Sequence, residues 1–467
     1  MKRNDGKIGK YLTALANPFL KSSALYIAAN ILGQGATFLG IIVFSRIMTR
    51  EDYGAYSTYY ATVSILVVLV GACLYIAVNN AYIDYADTIG AFRKSALFLS
   101  TLTASGVSAI LLTCCALFSL APVFVVSAAL VHAYSFFVVN FQIYSANMEN
   151  NYRRKTVLLI LPNSLQFLLS LLFISLFSEN AYLARVCGSS LGVFSCAAVC
   201  YLKIMRHEGR LVRPDYWKYA LSISLPSIVM SLSFMIMQQC DRLMITAIRG
   251  PAETAVYSAI YYVGYAIEAI DQAAAPVREA WIFRALGSGT VSGAAAVQRW
   301  YLLGMSFLTT GMFMVAPEAI RFLLPEGYWA YEYVPPFIMG ACVMALYRFD
   351  MEIAMFYKRN VLLSAATLFS ALTNVVLNAL FIPAYGAIAA AYTTLAGFGA
   401  LFFLSGAVAK LDKGGVYDRK LFLVFSLYLC GLWELYRLTY RIIAVRYVGF
   451  SALLLLLAGY AFIRRGK

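Results

Sequence analysis

Apolar runs of about twenty residues recur along this whole chain, and no other feature of the sequence restricts its fold so tightly. A run of that length crosses a hydrocarbon core of about 30 Å as a helix. Fourteen are read, at approximately 22–47, 55–82, 95–117, 120–147, 156–177, 181–202, 219–245, 254–277, 300–323, 331–356, 361–382, 386–409, 420–436 and 443–463. A membrane barrel would instead show ten-residue stretches alternating apolar and polar residues, which the sequence lacks. With 62% hydrophobic residues, only 13% charged and a mean hydropathy of +0.74, the expected fold is an all-α polytopic membrane protein. The first run follows a basic leader but is too long for a signal-peptide core and lacks a small-residue cleavage site, so it reads as a retained first span.

A net charge of +15 would suggest nucleic acid in a soluble protein, so the placement of the basic residues decides its meaning. Of the 37 Lys and Arg, 27 fall on one set of span ends, nine on the other, and Arg348 inside a span. That asymmetry puts both termini in the cytoplasm by the positive-inside rule. It leaves the charge as a topology signal and a contact for anionic lipids.

Catalytic chemistry is hard to place. The two histidines, His132 and His207, sit in no nucleophile–base pattern, His207-Glu208 lacks a second His at metalloprotease spacing, and no phosphate-binding Gly-rich loop occurs. All nine cysteines lie in or beside apolar spans as small hydrophobes, and Cys196 and Cys200, though on one helix face, have no His or carboxylate to complete a metal set. The expectation is neither an enzyme nor a cofactor protein. The links are too short for an ATPase or an external catalytic domain, so any driving energy must come from a gradient or a membrane potential.

The chain also repeats itself. FSRIMTREDYGAYSTYY at 44–60 parallels QCDRLMITAIRGPAETAVYSAIYY at 239–262: Arg46-Ile47-Met48 answers to Arg242-Leu243-Met244, and Tyr56-Ser57 to Tyr257-Ser258. Six spans separate the copies, so both halves share one orientation, as in parallel-repeat transporters. The expected organisation is a basic N-terminus (1–21), an N-lobe of helices 1–6 (22–205), a C-lobe of helices 7–12 (206–410) about a pseudo-twofold axis, and two extra helices with a basic C-terminus (411–467). Two such lobes enclose a midplane cavity that rocking can open to either side.

Asp241-Arg242 at the end of span 7, Tyr-Gly-Ala-Tyr-Ser at 53–57 with Ala-Val-Tyr-Ser at 255–258, and NVVLNALFIPAYGAIAAAYTT at 374–394 resemble polysaccharide flippases of the Wzx type, in the multidrug/oligosaccharidyl-lipid/polysaccharide exporter superfamily. The resemblance runs from about residue 20 to 410. It implies a fourteen-helix carrier in the bacterial inner membrane that moves undecaprenyl-pyrophosphate-linked oligosaccharide for O-antigen, capsule or exopolysaccharide synthesis. It also implies a lipid-linked oligosaccharide and membrane lipids as partners, with a polysaccharide polymerase, chain-length machinery and H+ or Na+ as further candidates. The stretches 268–276 and 348–352 carry more charge than the resemblance leads one to expect.

A charge at mid-bilayer costs roughly 2.5 to 3.5 kcal/mol, so intramembrane charges should line a cavity or pair. Arg46 and Arg242 could grip pyrophosphate in bidentate fashion, or snorkel to the headgroups from helix ends. Tyr56 and Tyr257 could stack on sugars or belong to an interfacial belt. Asp241 and Arg348 complete the candidate substrate set, with Arg348 and Glu352 four apart and able to pair with each other. Glu268 and Asp271 share a face of span 8 and, with Asp350, are candidates for a coupling ion. Two rivals stay open: a cation-coupled multidrug exporter of the same fold, and a membrane polymerase or ligase acting on sugar lipids.

Overall fold

A computed structural model describes residue 35 and residues 38–119, 121–288, 291–410 and 418–465. The expected first span before residue 38, including Asn30 and Gln34, the basic N-terminus and the link 411–417 lie outside the described residues. Apart from short 3-10 turns, every regular element described is an α-helix. In chain order these are α1 (Phe38–Ile47), α2 (Arg50–Gly71), α3 (Leu74–Asp84), α4 (Ile89–Phe118), α5 (Val123–Met148), α6 (Tyr152–Leu176), α7 (Ala181–Met205) and α8 (Pro214–Arg249). They continue with α9 (Pro251–Ser288), α10 (Val291–Leu323), α11 (Val334–Phe356), α12 (Asn360–Tyr385), α13 (Ala387–Lys410), α14 (Arg419–Thr439) and α15 (Ile443–Arg465).

Eleven helices among the described residues are long and apolar enough to cross a membrane, which makes this a multi-pass membrane protein. Helices α9 and α11 are not among the eleven although both have the length. Their charges, Glu268, Asp271 and Arg278 in α9 and Arg348, Asp350 and Glu352 in α11, offset their apolar content. The predicted span 55–82 is two helices, broken where Ala72 and Cys73 take left-handed φ values of 44° and 52°. Two non-glycine residues in that region end the ladder of hydrogen bonds.

Two compact units form. One takes in residues 62–231 with the described residues up to Ile41; the other takes in 42–61 and the chain from Leu232 onward. All three divisions fall inside helices, in α1, α2 and α8.

Close backbone approach organises the first unit. Helices α6 and α7 pack along their lengths, and α7 presents Gly188 and Gly192, four apart on one face. A Cβ on Gly188 would lie 2.5 Å from the Leu169 carbonyl oxygen, and one on Gly192 2.6 Å from the Gln166 nitrogen. In lipid, where apolar burial does not drive helices together, this small-residue contact is what holds the pair.

In the second unit the start of α2 packs on the start of α9, so the two copies of the repeat touch. Gly54 meets the Pro251 backbone so closely that a Cβ would fall 1.7 Å from its carbonyl oxygen, and the Thr58 and Thr246 hydroxyls share a hydrogen bond of 2.5 Å. Arg46 donates to the Phe322 carbonyl at 2.8 Å and Arg50 to that of Gly327 at 2.9 Å. Tyr53 meets Tyr328 edge to face. Helices α9, α11, α13 and α12 pack in that spatial order, while α14 and α15 lie against α10. Phe313 of α10 contacts both Tyr436 and Phe450 there, and the buried Arg446 pairs with Glu318.

Substituting Gly188 or Gly192 by Val should remove folded protein from detergent extracts. The same change at Gly106, whose added Cβ would meet nothing within 4 Å, should leave yield and thermal stability near wild type. Equal behaviour of Gly188→Val and Gly106→Val in fluorescence-detected size exclusion would show that the α6–α7 contact is not what the unit depends on.

Candidate functional site

The second unit contains two buried polar systems, one on α8 and one on α9. Asp241 is almost wholly buried, 1% exposed, in α8. It lies two turns before the helix ends at Arg249, so Asp241-Arg242 does not close the span as the sequence suggested. Three donors hold its carboxylate: Tyr257 at 2.5 Å, Thr394 at 2.5 Å and Asn378 at 2.6 Å. A second layer orients those donors. Asn374 donates to Thr394 at 3.2 Å, Thr393 donates to Asn378, and the Cys240 thiol donates to Asn374 at 3.2 Å.

Arg242 is 5% exposed and does not snorkel. It donates to Ser258 at 3.2 Å, to the Gln238 carbonyl at 3.1 Å and to Gln239 at 3.0 Å, and its guanidinium lies 4.5 Å from the ring centre of Tyr261. Arg46, its counterpart in the repeat, is exposed and spends one donor on the Phe322 carbonyl. Tyr56 is buried and stacks on Tyr60. Tyr257 is buried with its hydroxyl on Asp241.

The second system joins α9, α10 and α11. Arg348 does not pair with Glu352 four residues on; it reaches across to α9, to Glu268 at 3.0 Å and Asp271 at 2.9 Å. Glu352 pairs with Arg278, at 2.9 and 3.0 Å through two nitrogens. Arg278 also pairs with Asp271, which in turn accepts from Tyr301 of α10. The reason is directional. Residues 271 and 278 are two turns apart on one face of α9, so a guanidinium between the helices can serve carboxylates on both. Asp350, 1% exposed, faces the other way and lies 3.5 Å from Arg419 at the start of α14.

Arg278 counted as a cytoplasmic charge by sequence position and proves to be a buried partner, 3% exposed. Its spacing from Asp271 was the available signal. Nothing in spacing could have joined Asn378, Thr393 and Thr394 to a carboxylate more than a hundred residues earlier. Among the described residues, no group of three or more His, Cys, Asp and Glu is arranged to hold a metal ion.

A small cavity of about 20 Å³ lies between the two systems, with Glu268 on one wall and Thr394 on another. Tyr261, Gly264, Gly340 and Phe398 are among the other residues that enclose it.

The fold is that of transporters of the multidrug/oligosaccharidyl-lipid/polysaccharide superfamily. A lipid II flippase, MurJ, in an inward closed conformation, superposes with a TM-score of 0.71 at 13% identity over 96% of this chain and 100% of that one. A multidrug-resistance MATE transporter in an inward-facing conformation gives 0.56 at 15% identity over 83% and 96%. A superfamily transporter from Pyrococcus furiosus, described as having a binding pocket of reversed polarity, gives 0.52 at 14% over 88% and 96%. The sequence profile of the polysaccharide biosynthesis protein family matches residues 19–277, more than half of the chain, and the chain belongs to that family. No curated protein matches the sequence.

Arg278→Ala should destabilise the detergent-solubilised protein by about 3 to 5 kcal/mol, the usual result of stripping one partner from a buried ion pair. Adding Glu352→Gln to that variant should recover part of the loss. A thermal melt of Arg278→Ala within 1 °C or so of wild type would mean the cluster is hydrated and contributes little.

Proposed function

We propose that this protein flips a lipid-linked oligosaccharide, carried on undecaprenyl pyrophosphate, from the inner to the outer leaflet of the bacterial cytoplasmic membrane. The observation that carries the reading is the conjunction of a polysaccharide-biosynthesis family with a fold shared along 96% of the chain with a lipid II flippase. The MATE structure covers only 83%, which weighs against the multidrug-exporter alternative. O-antigen, capsule or exopolysaccharide units are the substrates in this reading, and a polymerase with its chain-length machinery receives them.

Both termini face the cytoplasm in the proposed topology, supported by the asymmetry of 27 basic residues against nine. Movement proceeds by alternating access, without catalysis by the protein itself. Arg242, Arg46 and Arg348 are the guanidinium groups proposed to meet the pyrophosphate, with Tyr56, Tyr257 and Asp241 positioning them or the sugars. Of these, Arg242 is the strongest candidate: its planar fork is already oriented by three acceptors and an aromatic face. A monovalent cation, H+ or Na+, supplies the driving force through the buried carboxylates Glu268, Asp271 and Asp350.

Deleting the gene should leave the lipid-linked unit on the cytoplasmic leaflet and deplete the surface polymer. If the unit reaches the outer leaflet normally but stays unpolymerised, the polymerase reading replaces this one.

Arg242→Ala should abolish surface polymer, and Arg242→Lys should restore it only in part, because the ammonium keeps the charge and loses the fork. Arg46→Ala should lower transport at near-normal membrane protein levels. Full polymer in both alanine variants would reduce the two arginines to structural anchors.

A further inference from the structure

The charge count of the α9–α11 cluster does not balance. Glu268, Asp271 and Glu352 bring three carboxylates, Arg278 and Arg348 two guanidinium groups, and none of the five is more than part-exposed. An uncompensated carboxylate in a site of low dielectric is costly enough that such groups ordinarily take up a positive charge or neutralise.

The pairing pattern identifies which carboxyl group is in excess. Asp271 has both arginines and the Tyr301 hydroxyl. Glu352 has Arg278 through two nitrogens. Glu268 has one guanidinium nitrogen, Arg348 Nη2 at 3.0 Å, and two neutral amides, Gln272 at 3.1 Å and Gln238. It is also the one member of the cluster that lines the cavity. The groups around it on every packed element are consistent with this. They are Asp271, Gln272 and Tyr261 on its own helix, Arg348 on α11 with Glu352 behind it, and Tyr301 on α10 beyond Asp271. On α8, Gln238 accepts from Tyr261 and donates to Glu268, with Arg242 next along that helix, and on α13 Thr394 leads to Asp241. No basic group other than Arg348 pairs with Glu268 among the described residues.

The cavity narrows the nature of the missing charge. Its volume of about 20 Å³ is enough to admit water. Three side chains bring oxygen to its wall, Glu268, Tyr261 and Thr394; the rest of the lining is Gly, Ala, Pro, Leu and Phe. Hard cations in proteins gather about six oxygen donors. A proton needs only the carboxylate and a route.

We propose that Glu268 holds a proton that cancels the excess negative charge of the cluster, and that this proton exchanges through the water-sized cavity between Glu268 and Thr394. The inference deepens the coupled-transport reading by assigning the ligand to one residue. It rests on that reading only for the role of the proton in transport.

Infrared spectroscopy of the purified full-length protein in lipid at pH 7 tests it directly, since a protonated carboxylic acid has a carbonyl band distinct from that of a carboxylate. The wild-type minus Glu268→Gln difference spectrum should contain that band, and the wild-type minus Glu279→Gln spectrum, at an exposed glutamate of the same helix, should not. An identical band in wild type and Glu268→Gln overturns the proposal. So does disappearance of the wild-type band when choline is replaced by Na+, which would make the site a sodium site. Gly340→Ala, whose added Cβ would reach the Phe398 ring at 3.4 Å, partly fills the cavity. It should keep the band and slow its shift in deuterium oxide, and an unchanged exchange rate overturns the cavity as the route. None of these spectra requires the protein to move a sugar lipid. A wild type that shows the band but flips no substrate would refute the transport reading and leave the proton in place.

Discussion

Five ionisable side chains between three helices, four of them buried and Arg348 part-exposed, in a protein whose solvent is hydrocarbon, set the terms for the second unit. Charge in that environment is tolerated only when it is paired and hydrogen-bonded, so Arg278 and Arg348 hold α9 and α11 in one register. Shift either helix by a turn and a carboxylate loses its partner. The backbone allows this closeness because Gly264 lies against the Phe337 peptide, where a Cβ would come within 2.6 Å of the carbonyl oxygen. Ion pairing and a missing side chain are thus two halves of one contact. Asp350, on the same helix, extends the constraint to α14 through Arg419.

The Asp241 system obeys the same rule by different means. Its carboxylate, on α8, is surrounded by hydroxyl and amide donors from α9, α12 and α13 rather than by arginine. Four helices are tied to one side chain. Arg242, the next residue, turns to Ser258, Gln239 and the Tyr261 ring instead. Adjacent residues on a helix point in directions about 100° apart, which is why an Asp-Arg dipeptide that reads as a pair in sequence serves two separate networks.

Much of the fold was legible because lipid leaves few choices: an apolar run of twenty residues must become a helix, and the spans read from sequence correspond to helices wherever residues are described. The break at Ala72-Cys73 was not, since neither residue is a turn former and the strain appears only in φ. Site residues were legible in kind more than in pairing. Glu268, Asp271, Arg348 and Asp241 stood out as charges in apolar runs, and all four lie in polar networks, the three carboxylates buried and Arg348 part-exposed. Their partners were hidden because the contacts join helices tens of residues apart. The four-residue spacing of Arg348 and Glu352 suggested a local pair that the geometry replaces with two pairs to α9. The repeat was plain to read. Its physical expression, Gly54 against Pro251, required the structure.

The central claim is that this chain, alone in a bilayer, carries a sugar lipid from one leaflet to the other. Purified protein reconstituted into liposomes with a radiolabelled undecaprenyl-pyrophosphate oligosaccharide measures it, with an impermeant glycosidase added outside to count the molecules that arrive there. The account predicts that the accessible fraction rises with time in protein-containing liposomes, and that protein-free and Arg242→Ala liposomes keep their initial fraction. A wild-type fraction that never departs from the protein-free value, in vesicles whose protein is folded and correctly inserted, would contradict it.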